Sequence, residues 1–217
     1  MILRRNLTAG VAIAALTGLS AVPATADLMP VGTTAAVNPT VQGTPPAQTQ
    51  RELLLGSDVF FEERIVTSPN GQTQVLFNDE STLTVGPGSE LVIDKYVYDP
   101  ARGSGEMAMR LLSGVVRYVG GRISKDDGVE LTTGAAVIGI RGGISITAHD
   151  RDAGVTRTSN VFGRQTIARD SERTSLQQGW TAVVRPGAAI DFRRTEVATV
   201  QQAQRQLEGQ GGGGARR

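Results

Sequence analysis

The 217-residue chain contains no cysteine. That excludes thiolate nucleophiles, disulfides and cysteine-ligated metal centres. His149 is the single histidine, so a centre built on two imidazoles is excluded as well. Aromatic residues make up 4% of the chain, too few for the stacking platforms on which unpaired bases or sugars lie. Neither sign of charge dominates. The chain has 22 Lys+Arg against 21 Asp+Glu, mixed along its length, so it carries no basic footprint for nucleic acid. Beyond the N-terminal segment no apolar run is long enough to cross a bilayer.

What is abundant is glycine, with 27 residues, which suits many tight turns. Residues 1–26 have the parts of a secretory signal peptide. Arg4 and Arg5 are followed by a small-residue-rich apolar stretch, Leu7 to Val22, and then by Ala24-Thr25-Ala26 as a small-x-small cleavage site. Cleavage after Ala26 is expected, which places the mature chain in the periplasm, at the cell surface or outside the cell. Residues 27–50 read as an N-terminal strand or linker: PVGTTAAVN, 30–38, reads as a short first strand or part of the tail, and the uncharged Pro-, Thr- and Gln-rich stretch 38–50 as a linker or loop.

Residues 51–194 read as an all-β domain, since short alternating apolar runs are separated by regular turn signals. Asn70-Gly71 favours a tight hairpin, and Pro87 in Gly86-Pro87-Gly88 belongs in a turn because it cannot donate to a ladder. The expected architecture is a compact twisted sheet stack, sandwich or solenoid-like. Residues 195–217 predict a short C-terminal helix or a flexible Gly-rich tail.

No assembled chemistry is visible along the chain. Residues 86–90 (GPGSE) and 102–106 (RGSGE) lack the Lys-Ser/Thr ending of a phosphate loop and read as turns. Asp150 and Asp152 are a fragment of a calcium loop without its other ligands, and Asp126-Asp127 reads as a turn. His149 has no GxSxG serine to serve as base. Glu62, Glu63, Glu80 and Glu90 support glycoside hydrolysis only if the fold pairs them. Hence no catalytic residue, cofactor or metal is expected.

The stretch AAVIGIRGGISIT, Ala135 to Thr147, most resembles a site. Its even positions, from Ala136 on to Ala148, are all apolar, while the odd ones include Arg141, Ser145, Thr147 and His149. The unbroken alternation predicts one long strand, bent or pinched at 142–143, with the same face inward throughout. Arg141 then points away from the core. There it bonds carbonyls freed at the bend or covers an adjoining loop with its aliphatic stem. A structural corner is favoured over a partner contact.

These patterns together resemble the FecR domain family. The resemblance runs from about Leu55 to Ile146, with weaker likeness through LQQGWTAVV. It rests on Gly71 opening a strand, on the acidic turn followed by Leu83, Val85, Gly86-Pro87 and Ser89, and on Thr132-Thr133, Ala136, Gly139, Arg141 and Gly142. Thr133-Gly134 stands where the family usually has Thr-Pro, and Gly142-Gly143 where it usually has Gly-Thr. The resemblance implies an exported all-β domain in which Gly139, Arg141, Gly142, Gly143, Gly86, Pro87 and Ser89 form a mainly structural motif. The namesake regulators contact an outer-membrane receptor during iron–siderophore uptake and signal to a sigma factor, through a cytoplasmic N-terminal domain and a transmembrane helix that this sequence is not expected to have. The expected function is therefore non-enzymatic binding of a protein, or second a glycan, in the envelope or at the surface. The alternative is an accessory part of envelope signalling or iron-uptake regulation acting through another membrane protein. An enzyme acting on glycans or peptides comes last.

Overall fold

A computed structural model describes residues 28–126 and 128–196, together with Gln201, Arg205 and Leu207. The expected signal peptide lies outside the described residues, as does most of the expected C-terminal helix, of which Gln201, Arg205 and Leu207 are helical. The protein is all-β. Its strands are β1 (Pro30–Asn38), β2 (Val41–Thr44), β3 (Arg51–Glu52), β4 (Asp58–Phe60), β5 (Arg64–Thr67), β6 (Gln72–Phe77), β7 (Thr82–Val85), β8 (Glu90–Asp99), β9 (Ser104–Val119), β10 (Val129–Thr132), β11 (Val137–Asp150), β12 (Val155–Arg169), β13 (Glu172–Leu176), β14 (Trp180–Val184) and β15 (Asp191–Arg194). A four-residue helix, α1 (Ile123–Asp126), joins β9 to β10. No helix among the described residues is long and apolar enough to cross a membrane.

The strands form one branched sheet, and its branches start on three long strands. β9 pairs with β8 through residues 104–113 and with β7 through 116–119. The chain therefore divides into a β7-β6-β1-β4 branch and a β8-β5-β2-β3 branch. The main core fills the space where they meet, from Val31, Leu53 and Ile65 to Leu83, Leu91 and Leu111, all fully buried. β12 branches likewise, pairing with β14 through 156–160 and β13 through 165–169. A second apolar cluster there joins Ile167, Leu176, Ala182 and Val184. β11 changes neighbour too, from β10 at 137–140 to β9 at 144–149. Each change falls at a positive-φ glycine: Gly114 on β9, Gly142 and Gly143 on β11, and Gly163 on β12.

Two expectations are corrected here. Val41–Thr44 is a strand paired with β5 and β3, although it lies inside the stretch read as linker or loop. Its Val41 is fully buried, and tertiary pairing overrides the turn-like composition around it. The bend in β11 does not keep one face inward. Arg141 pairs with Arg164 and Ile144 with Phe162, so β11 carries one extra residue; Ser145 then pairs with Asn160, so β12 carries the next. Before the bend Ile138 and Ile140 enter the main core. After it Ser145, Thr147 and His149 are buried, while Ile146 packs in a separate cluster with Val115 and Leu207. Both faces of the second half are covered, so the polarity pattern ran on through the bulge without recording it.

Candidate partner-binding surface

The motif residues fall at two joints. In the first, the Gly86–Ser89 turn is clasped between β5 and β9. Thr67 Oγ1 donates to the Gly86 carbonyl at 2.6 Å and accepts from the Ser89 N–H at 2.8 Å. Ser89 Oγ accepts from the Val115 N–H at 2.9 Å. Any side chain at Gly114 would collide with Ser89, so the branch on β9 requires glycine there. Pro87 occupies the turn between them, and Gly88 N–H donates to the Ser68 carbonyl at 2.9 Å.

The second joint is the Arg-Gly-Gly bend. Gly142 and Gly143 have φ of 60° and 83°, and a Cβ at Gly143 would strike the Phe162 carbonyl. The Gly143 carbonyl accepts from the Gly120 N–H at 2.8 Å, which ties the bend to the end of β9. The Arg141 side chain is exposed and makes no hydrogen bond or ion pair with any described residue. It therefore does not bond carbonyls freed at the bend. Its stem instead lies near Gly128, where a Cβ would stand 3.3 Å from Arg141 Cγ. Gly139 carries no side chain over the outer face, and Thr166 on β12 leans across it.

The remaining candidates are held apart. Glu63 is fully buried and pairs with Arg51 at 2.9 Å; burial pushes its carboxyl up, and the Phe60 N–H and the Arg51 guanidinium oppose that. Glu90 is shared by Arg64 at 2.9 Å and Arg151 at 2.5 Å. Burial works to raise its carboxyl, and bonds from the two guanidinium groups outweigh that and lower it. Glu80 meets Arg122 at 2.7 Å on the surface. Each of these three carboxylates thus has an arginine as its charge partner. Asp150 closes the β11–β12 hairpin by accepting from the Ala153 N–H at 3.0 Å. No group of three or more His, Asp or Glu side chains among the described residues is placed to hold a metal ion. His149 is buried, with Nδ1 2.9 Å from Thr156 Oγ1, which in turn lies 2.7 Å from Thr133 Oγ1. Burial lowers its pKa and favours the neutral ring. The histidine belongs to a buried hydroxyl ladder that continues through Thr147, Thr158 and Gln165.

A concave trough of about 1340 Å³ lies on the outer face of β8 to β13. Alternation explains it. On β9, β10 and β11 the residues next to core-facing Met107, Val129 and Ile140 point outward, and several are small: Ala108, Gly128 and Gly139. Charged side chains rise along the sides, and no aromatic residue lines it. Sequence reasoning placed Gly139 and Arg141 but missed Arg164 and Arg173. They lie on different strands, and only the register of β11, β12 and β13 brings them to one face.

Residues 63–163 match the model of the FecR family, described as FecR protein. The chain carries a FecR domain. The matched segment contains all three partner changes, at Gly114, Gly142-Gly143 and Gly163. Among solved structures, two crystal structures of a protein from Parabacteroides distasonis ATCC 8503, described as a candidate anti-sigma factor, superpose with TM-scores of 0.52 and 0.51 at 13% identity. In each, 64% of this chain aligns with 62% of the other. At that identity the likeness is one of fold. No curated protein matches the chain.

Proposed function

We propose that this chain is an exported, non-enzymatic FecR-domain protein that binds a partner protein in the cell envelope and takes part in envelope signalling or regulation. The observation that carries the reading is the concave face of β8 to β13, which joins an open sheet surface to charged side chains. The FecR match and the anti-sigma description of the structural neighbours support the signalling class. A glycan partner is disfavoured because the trough has no aromatic platform. Regulation of iron uptake through another membrane protein is the narrower form of the same reading.

Fractionation of cells producing a C-terminally tagged chain, followed by chemical crosslinking, tests it. The expected result is a chain shortened by the signal peptide, recovered in the envelope or medium, and joined to one defined protein. Recovery of the uncleaved chain in the cytoplasm, or no protein adduct, overturns it.

A further inference from the structure

The outer face of β11 and β12 contains an electrostatic anomaly. Arg141 and Arg164 are directly opposed across the two strands, and like charges in that position are destabilising. Neither has a carboxylate partner among the described residues, and neither does Arg173 on the adjoining β13. The other basic residues of the trough are neutralised, Lys95 by Glu106 and Arg102 by Asp99. Among the described residues Glu130 is the one further carboxylate along the trough, so the described side chains of β11 to β13 make that end positive.

That end is also an open sheet edge. Among the described residues β13 pairs with β12 alone, and its other edge is a template for an added strand. Arg173 lies opposite Ala168, and Ser175 opposite Thr166. Continuing this register sets Gln177 opposite Arg164. A strand added to β13 therefore has one row of side chains on the trough side, beside Arg173 and within reach of Arg164.

We infer that the β13 edge, with Arg173 and Arg164 on its trough side, takes an extended acidic segment of a partner protein, bound as an added strand with alternate carboxylates facing the trough. The inference rests on the proposed partner-binding function and names the segment the partner must supply. Backbone pairing to β13 gives affinity, and the arginines select acidic over basic sequences and hasten encounter at low salt.

A labelled ten-residue peptide of alternating Glu and Val, titrated into the purified chain, tests this, with a Lys–Val peptide as control. The Glu–Val peptide is expected to bind with amide NMR shifts centred on Glu172–Leu176, and to bind at least tenfold more weakly to Arg164→Glu/Arg173→Glu. All three arginines are exposed, so that variant is expected to melt as the parent does. The inference is overturned by absence of Glu–Val binding, equal binding of the Lys–Val peptide, or an unaffected double variant. It is also overturned if the edge pairs with a second copy of the chain, or if phosphatidylglycerol vesicles bind through these arginines while the peptide does not. Capture of a partner in cells that survives the double variant removes the inference and leaves the proposed function standing. Loss of all capture by the parent chain, with the peptide still bound, removes the proposed function instead.

Discussion

Arg141 and Gly143 stand two residues apart and contribute in different ways. Arg141 is exposed and unbonded, so Arg141→Ala is expected to change stability by no more than about 0.5 kcal/mol. Gly143 has positive φ and faces the Phe162 carbonyl, so Gly143→Ala is expected to cost about 2 kcal/mol or more in a urea titration. If Arg141→Ala costs as much as Gly143→Ala, the bend depends on the arginine. Ser89→Ala removes the acceptor of the buried Val115 N–H, at an expected cost of about 1–3 kcal/mol. His149 adds a pH dependence. Burial lowers its folded pKa, so as pH falls below about 6.5 the unfolded chain binds the proton more readily, and stability drops toward the depressed folded value. Since His149 is the sole histidine, His149→Gln is expected to flatten the slope of unfolding free energy between pH 7 and 5. An unchanged slope would show that the ring is not held neutral.

At the level of elements, each long strand serves two neighbours in turn and a glycine sits at each change. β9 is paired along both edges, whereas β13 and β15 each have a single partner. Native-state hydrogen exchange is therefore expected to find the β9 amides most protected and those of β13 and β15 fastest. Strong protection of β13 in the isolated chain would mean that its edge is already covered. Much of this level was legible in the sequence. Alternation and turn residues marked the β6–β7 region and the Gly86-Pro87 turn, because those signals are local, but the hairpin expected at Asn70-Gly71 does not form: β5 and β6 pair with other strands, and neither residue has positive φ. β2 was hidden, since Val41 is fixed by its pairing with Thr67, twenty-six positions along the chain. The slip at Gly142-Gly143 was hidden for a different reason: Ile146 and Thr147 are both buried, so residue polarity did not distinguish the faces.

For the molecule as a whole, the sequence located the family motif and the structure relocated its significance. Gly139, Arg141, Gly142 and Gly143 lie at one place, but the glycines shape the fork while Arg141 stands on the trough with Arg164 and Arg173. The trough was not legible because it gathers residues from Lys95 to Gln178, and only long-range register sets them on one face. The proposed function requires that a partner protein bind this face in the envelope. Site-specific photo-crosslinking tests it most directly, with the reactive side chain placed in cells at Ser175 on β13 or at Glu52 on the distant β3. One defined protein adduct is expected from Ser175, in the envelope fraction, and none from Glu52. Adducts of equal yield from both positions, or none from Ser175, would contradict it.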